Sequence, residues 1–175
     1  MKTLIDHLAQ YAEYHRDPRN IHTHFVGVPM IMFAVVILLS RPVWELNGLP
    51  IGPALVAAIA ASVFYFRLDL RFGLVMATLQ AAMLVGGQWL ALQSTLLWLA
   101  TGLGLFAVGW VIQFVGHYYE GRKPAFVDDL SGLIVGPLFV VAELGFLMGL
   151  RKDVQHAIEQ RSGPVRLRTG PAATA

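Results

Sequence analysis

The longest uncharged stretch of this sequence constrains its fold more than any other feature. Residues 72–119, 48 in succession, include no aspartate, glutamate, lysine or arginine. Crossing the hydrocarbon core of a bilayer takes about 20 mostly apolar residues, so the stretch is long enough for two crossings and a turn. Only 14% of the chain is charged, against about a quarter of a typical soluble domain. The sequence therefore predicts an integral membrane protein.

The other apolar segments predict an all-α fold, an integral membrane helical bundle with four spans. The predicted spans are residues 25–40, 51–66, 72–92 and 95–116. Three glycines of the fourth span are small enough to let a neighbouring helix approach closely. They are Gly102, Gly104 and Gly109. Residues 3–16 have apolar positions at three-to-four spacing, which predicts an N-terminal amphipathic helix at the membrane interface.

A fifth apolar segment, residues 130–150, contains Gly136-Pro137 and the ionisable Glu143. Such a segment is tolerated at membrane depth where it packs against protein or lines a cavity. We therefore predict a broken helix that re-enters the membrane without crossing it. Residues 1–150 would then form one membrane-embedded domain, and residues 151–175 a cytoplasmic polar helix followed by a disordered tail.

The basic residues favour this topology, because lysine and arginine collect on the cytoplasmic side of membrane proteins. With a cytoplasmic N-terminus and a re-entrant fifth segment, all but one of the 13 basic residues lie on that side, the exception being Arg41. If the fifth segment crossed the membrane, the basic residues would be divided almost evenly between the two sides. The asymmetry therefore predicts that both termini are cytoplasmic.

Two histidine-bearing segments meet on the cytoplasmic side in this topology. Residues 15–24 lie before and at the start of the first span, and residues 113–120 lie at the end of the fourth. Together they contain every histidine except His7 and His156. Ionisable side chains at a membrane boundary are costly to desolvate, so their grouping indicates a functional site.

The spacing within these segments predicts a metal site. Asn20 and His24 are four residues apart, as are Gln113 and His117, so each pair shares a helix face, and Glu120 extends the second face. The predicted metal ligands are His15, His24 and His117. The predicted partners around them are Glu120, as a ligand, a catalytic group or a hydrogen-bond partner, and the outer residues Asn20, Gln113 and Glu143. His22 cannot share the helix face of His24, and we predict no ligand role for it.

The types of residue at the site narrow the choice of metal ion but do not identify it. Three imidazoles and a carboxylate are the ligand types of non-haem Fe(II) sites, and zinc or manganese would suit them too. The chain has no cysteine, which excludes disulfides, iron–sulfur clusters and thiolate zinc sites. A single interfacial histidine can instead remain at the headgroup level and hydrogen-bond to water. The modest net charge of +2 gives no indication of a nucleic-acid partner.

Both segments resemble a known family, the membrane-bound 2-hydroxy fatty acid dioxygenases, which comprise the yeast enzyme of fatty acid α-oxidation and bacterial relatives formerly known as a domain of unknown function. The residues that carry the resemblance are His15, Asn20, His24, Gly27 and Pro29; Gln113, Phe114, Gly116, His117, Glu120 and Lys123-Pro124-Ala125; and Asp129-Leu130, Pro137 and Glu143. The resemblance covers residues 1–150. The tail from Gln160 has no counterpart in it.

The resemblance implies an Fe(II)-dependent dioxygenase that converts a 2-hydroxy fatty acid and O₂ into a fatty acid one carbon shorter. Fe(2+) would be the cofactor, and the substrate's hydroxyl and carboxylate would bind it at the membrane face while the acyl chain lies among the spans. Lys123 or Arg122, at the same face, could pair with the substrate carboxylate. In a bacterium the expected location is the inner membrane, and in a eukaryote the endoplasmic reticulum, with the site facing the cytoplasm.

Two other interpretations remain open. A non-enzymatic membrane protein, such as a small transporter or a proton- or metal-binding protein, would predict inverted repeats and polar residues at mid-membrane. The sequence contains no such repeat, and its polar groups gather at one face. A desaturase-like di-iron enzyme would need more histidines than the six present. The sequence does not determine the oligomeric state, and a homo-oligomer remains open.

The first testable prediction concerns the fifth apolar segment. A reporter fused after Leu150 should be cytoplasmic, because a re-entrant segment returns the chain to the side on which it entered. A fusion in the loop near Arg41 provides the control and should report from the opposite side. An external signal after Leu150 would mean that the segment crosses the membrane.

Overall fold

The computed structural model describes residues 2–47 and 49–167, and these are mainly helical. The α-helices, in chain order, are α1 (Leu4–Ala12), α2 (Pro18–Leu39), α3 (Pro53–Leu68), α4 (Leu70–Ala91), α5 (Thr95–Glu120), α6 (Gly132–Leu147) and α7 (Lys152–Ser162). A 3₁₀ helix covers Ala125–Val127. The predicted all-α membrane fold class is confirmed.

Within the described residues, three helices are long and apolar enough to cross a membrane. They are α2 and α4, with 22 residues each, and α5, with 26. The predicted second span, α3, is apolar but has only 16 residues, fewer than the roughly 20 that a crossing usually takes. The predicted broken segment contains α6, which continues through Gly136 and Pro137 as one helix, so a break at this pair is wrong. The chain bends after α6 instead, and α7 turns away from α6 by 115°. The turn passes through Arg151, whose φ of 51° is left-handed.

The chain between α1 and α2 differs from the prediction. The helix predicted for residues 3–16 ends at Ala12, and α2 begins at Pro18 rather than near residue 25. The proline at the first helical position fits a helix start, because the amide that it lacks would have no helical partner there. The Asp17 carboxylate accepts a hydrogen bond from the Arg19 amide, at 2.9 Å, and caps this start. His15 consequently lies in a short link between two helices.

The predicted loop over residues 41–50 contains a strand pair. Strands β1 (Trp44–Leu46) and β2 (Leu49–Ile51) are antiparallel, with Trp44 opposite Ile51. Three-residue strands give too short a pattern to be distinguished from a loop in the sequence.

The chain divides into two compact units, Met30–Gly109 and the remainder, Met1–Pro29 with Trp110–Ala175. In the first of these, helices approach closely at small residues. A Cβ on Gly102 would lie 2.6 Å from Leu38 Cδ2, and one on Gly87 would lie 2.7 Å from Val36 Cγ1. A Cβ on Gly104 would meet no described atom within 4 Å. The predicted close contact is therefore confirmed for Gly102 and wrong for Gly104.

The other unit contains every residue of the predicted site. Its α1 buries the apolar face that the spacing predicted, and α6 and α7 cover this face. In α7, Val154 and Ile158 are buried, so the predicted polar helix has one apolar edge. Residues 163–167 follow it, and the predicted tail from residue 168 lies outside the described residues.

Candidate metal centre

Three imidazoles converge in a buried position. His15, in the link before α2, is 0% exposed; His24 of α2 is 2% exposed; and His117 of α5 is 6% exposed. Each offers a ring nitrogen, and the three nitrogens lie within 4.8 Å of one another. Among the described residues, His15, His24 and His117 are the one group of histidine or carboxylate side chains that are close enough together to bind a metal ion. The structure thus brings the three predicted ligands together.

The backbone determines which nitrogen of two of these rings carries the proton. His15 Nδ1 lies 2.7 Å from the carbonyl oxygen of Tyr11, and His24 Nδ1 lies 2.9 Å from that of Asn20. A carbonyl oxygen can only accept, so both Nδ1 atoms donate, and in the neutral ring Nε2 then carries a lone pair. Burial lowers the pKa of His15 well below its ordinary value, which favours this neutral form.

The two Nε2 atoms face each other at 3.0 Å. Two lone pairs at this distance repel each other, and a cation between them, either a shared proton or a metal ion, would remove the repulsion. The lowered pKa of His15 disfavours the proton. Two imidazole nitrogens that bind one ion at about 2.1 Å, at roughly a right angle, are about 3.0 Å apart. The nitrogens therefore fit a metal ion, and neutral imidazoles without thiolate suit iron, zinc or manganese.

Two buried amide atoms near these rings also lack a partner in the described part of the chain. Asn20 Oδ1 is an acceptor and Gln113 Nε2 is a donor, and neither has a hydrogen bond within residues 2–47 and 49–167. Leaving a buried polar atom unsatisfied costs about 1–3 kcal/mol. Such atoms commonly mark bound water or ligand. This is a second observation that fits a ligand-binding centre.

Glu120 holds the link that carries His15. Its Oε2 accepts hydrogen bonds from the backbone amides of Arg16 and Asp17, at 3.0 and 2.8 Å, and from Asn20 Nδ2 at 3.1 Å. The carboxylate therefore binds amide groups that would otherwise be unpaired between α1 and α2. Glu120 is 0% exposed. The geometry supports its predicted role as a partner of the ligands, and a direct catalytic role stays a prediction.

The stripe on α5 that meets this link follows helical spacing. Gln113, Gly116, His117 and Glu120 are buried, and α5 ends immediately after them at Gly121. Gly121 has a φ of 67°, a left-handed conformation that glycine adopts readily at a helix end. The termination at Gly121 places both His117 and Glu120 in the last turn of α5.

Two aromatic residues around His15 were not predicted as part of the site. The Tyr11 ring is parallel to the His15 ring, with their centroids 4.1 Å apart. The Phe139 ring of α6 lies 5.5 Å from His15 and is 0% exposed. The four-residue spacing of Tyr11 and His15 would place both on one face of the predicted helix over residues 3–16, although His15 lies beyond the end of α1. The aromatic pair limits the position that the His15 ring can occupy.

Glu143 forms a buried ion pair that the sequence did not identify. Its Oε1 accepts a hydrogen bond from Arg16 Nη2 at 3.0 Å. The partner of Glu143 is therefore the residue next to His15. No spacing rule connects Arg16 with Glu143, because they are 127 positions apart.

Lys123 lies outside the buried cluster, at a groove that reaches it. Lys123 is exposed, and its Nζ is 2.6 Å from Asp128 Oδ1. The hydrogen bond from Lys123 to Asp128 raises the pKa of this lysine, which keeps it cationic. The groove has a volume of about 390 Å³. It is lined by Phe114, His117, Tyr118, Gly121, Arg122, Lys123 and Pro124.

The remaining histidines lie apart from the three buried imidazoles. His22 is exposed on α2, and His156 of α7 is exposed with its Nε2 3.0 Å from Gln160 Nε2. His7 lines a small cavity beside α1.

Comparison with known proteins places the chain in a family. The family described as "2-hydroxy-palmitic acid dioxygenase Mpo1-like" matches residues 1–148. A protein of Saccharomyces cerevisiae named 2-hydroxy-palmitic acid dioxygenase MPO1 is 32% identical over 167 residues, covering 91% of this chain and 92% of its own length. No solved structure matches the chain. The chain belongs to the Mpo1-like family.

Removing either helical imidazole should abolish metal binding. We expect purified His24→Ala and His117→Ala to lose the ion, because each leaves too few nitrogens to hold it. The measurement is metal content per chain after loading with Fe²⁺ and desalting. His22→Ala, which removes an exposed ring from the same helix, is the matched control and should keep full occupancy. Full occupancy in the His24 and His117 variants would refute the assignment.

A methyl group on Gly116 should disturb the same centre. An added Cβ would overlap Thr23 Oγ1 and lie 2.5 Å from Asn20 Oδ1, displacing the residue that joins Glu120 to α2. We expect Gly116→Ala to destabilise the protein by about 1–3 kcal/mol and to weaken metal binding. Gly104→Ala, in open space on the same helix, should be neutral or slightly stabilising. Equal thermal unfolding temperatures and metal affinities in both variants would contradict this.

Proposed function

We propose that this member of the Mpo1-like family is an Fe(II)-dependent dioxygenase of fatty acid α-oxidation. Its substrates would be a 2-hydroxy fatty acid and O₂, and its product a fatty acid one carbon shorter. The observation that carries the proposal is the pair of imidazole lone pairs facing each other at 3.0 Å beside a third buried imidazole. Family membership adds the reaction class, because the yeast relative is named as a 2-hydroxy-palmitic acid dioxygenase.

The three histidines His15, His24 and His117 would hold the iron. When bound, Fe(II) with open positions supplies O₂ activation and a binding point for neighbouring substrate oxygens. Three protein ligands leave such positions, whereas a closed structural site fills all of them. A 2-hydroxy acid offers two adjacent oxygens, its hydroxyl and its carboxylate, which an ordinary fatty acid does not.

The basic groove beside His117 supports the choice of an acidic substrate. Arg122 and Lys123 stand at this groove, and Phe114 and Tyr118 give it apolar walls. A carboxylate head would be attracted by the two cations, and an acyl chain would contact the apolar walls. We propose that Lys123 and Arg122 attract and orient the carboxylate, with Asp128 keeping Lys123 positioned at 2.6 Å until substrate arrives.

The other predicted residues would hold the metal-binding histidines in position. Glu120 holds the backbone before α2 through Arg16 and Asp17, so it would keep His15 in place. The backbone carbonyl oxygen of Asn20 accepts a hydrogen bond from His24 Nδ1, which would keep Nε2 directed at the ion. Gln113 Nε2, which has no hydrogen-bond partner among the described residues, would donate to a substrate oxygen or to water, and Glu143 would act through Arg16. These are positioning roles.

The proposed reaction balances without an external reductant. If the carboxyl carbon leaves as carbon dioxide, oxidation of the 2-hydroxy acid to the shorter acid releases four electrons. One O₂ accepts four electrons, and one water forms with the carbon dioxide. Substrate and oxygen should therefore be consumed in equal amounts. We place the site at the cytoplasmic face of the bilayer, where the head group stays in a polar layer while the chain remains in lipid.

The test uses purified protein and 2-hydroxypalmitic acid labelled at the carboxyl carbon. We expect an unlabelled acid one carbon shorter and labelled carbon dioxide, formed only with O₂, lost on chelation and restored by Fe²⁺ but not by Zn²⁺. Palmitic acid, which lacks the hydroxyl, is the substrate control and should react poorly because one of its two binding oxygens is missing.

Protein variants separate this reaction from background oxidation by free iron. His22→Ala should retain activity, and His24→Ala should lose it by more than the roughly 100-fold seen for outer partners of metal ligands. Product formed without O₂, or no product in the iron-loaded protein, would refute the proposed function.

A further inference from the structure

Arg16 connects the link that carries His15 to three other parts of the chain. Its backbone amide donates to Glu120 of α5, and its guanidinium donates to Glu143 of α6 at 3.0 Å and to the carbonyl oxygen of Gly163 at 3.2 Å. Its own carbonyl oxygen accepts a hydrogen bond from the Arg166 amide at 2.9 Å. Arg16 is 4% exposed. Arg16 lies between His15, a predicted metal ligand, and Asp17, which caps α2. A displacement of Arg16 would therefore shift His15 as well.

The C-terminal segment that contacts Arg16 is itself attached to α1. Its α7 packs against α1, and Ser162 Oγ donates to the carbonyl oxygen of Ala9 at 2.7 Å. Arg161 pairs with Asp6 at 2.6 Å. We call residues 152–167 the C-terminal clamp. It follows residues 1–148, over which the family matches the chain.

We propose that the C-terminal clamp supports the metal centre through Arg16, so that docking of the clamp and binding of the metal ion stabilise each other. Arg16 is a positioning residue in this account, because it touches the clamp and Glu143 and acts on the ion only through His15. The inference rests on the metal centre used by the proposed function but not on the reaction.

The coupling has a physical basis in the buried ion pair of Arg16 and Glu143. A buried arginine–glutamate pair is strongly disturbed when its surroundings change, because each charge needs its partner out of water. Residues that hold metal ligands in place commonly alter metal affinity by roughly 10–100-fold when they are replaced. Coupling between two binding events is reciprocal, so an ion that binds better to the docked state must hold the clamp docked by the same factor.

The first experiment removes one hydrogen bond and measures Co²⁺ affinity by the visible absorption of the bound ion. Arg166→Pro lacks the amide that donates to Arg16, whereas Arg166→Ala keeps it and serves as the matched control. We expect Arg166→Pro to weaken Co²⁺ binding by about fivefold, the contribution of one ordinary hydrogen bond, and Arg166→Ala to bind like the unaltered protein. Arg16→Met should weaken binding by roughly 10–100-fold.

A second experiment uses the unaltered chain, so it does not depend on whether a variant folds. Trypsin cleaves after Arg161 and Arg166 when the clamp opens, and saturating Co²⁺ should slow this cleavage at least severalfold. His24→Ala, which should not bind the ion, is the control in which Co²⁺ changes nothing.

The outcomes decide the inference separately from the proposed function. Slower cleavage with Co²⁺, together with weaker binding in Arg166→Pro alone, would support the coupling even if no 2-hydroxy acid reacted. Equal cleavage with and without Co²⁺, equal affinity in Arg166→Pro and Arg166→Ala, or no Co²⁺ binding at all would overturn it.

Discussion

The interaction on which this centre depends is the approach of two imidazole nitrogens that both carry lone pairs. Backbone carbonyl oxygens accept the Nδ1 protons of His15 and His24, which leaves the two Nε2 atoms 3.0 Å apart with nothing to donate. The repulsion between them disappears when a cation binds both. The two hydrogen bonds to backbone carbonyl oxygens leave the Nε2 lone pairs facing each other, and they also orient both rings toward an ion between them. Proteins commonly fix the tautomer of a metal-binding histidine in this way.

Residues from separate parts of the chain contact the short link between α1 and α2 and hold His15 in position. Glu120 of α5 gathers the amides of this link, Tyr11 of α1 stacks on His15, and Arg16 joins the link to Glu143 of α6. A carboxylate or a guanidinium is costly to bury alone. The Glu120 carboxylate and the Arg16 guanidinium are each buried with several hydrogen-bond partners, so the link is held in one conformation.

Much of this could be predicted from local patterns. The helical spacing of Gln113, His117 and Glu120 correctly predicted a shared face. The basic-residue asymmetry predicted that both histidine segments lie on one side of the membrane, and the structure brings their imidazoles together. The end of α1 at Ala12 could not be predicted, because it depends on the Glu120 carboxylate binding amides that a longer helix would have used. The ion pair of Arg16 and Glu143 joins residues far apart in sequence, where no periodicity applies. The role of Glu120 was left open because a carboxylate can bind either a metal ion or backbone amides.

X-ray absorption of the Fe²⁺-loaded protein would show directly whether the three imidazoles bind one ion. We expect one ion per chain with three imidazole ligands at about 2.0–2.2 Å, recognised by the multiple scattering of the rings, together with oxygen neighbours. The spectrum of His22→Ala should be unchanged. An ion surrounded only by oxygen atoms, or one whose imidazole scattering survives intact in His24→Ala, would contradict the account.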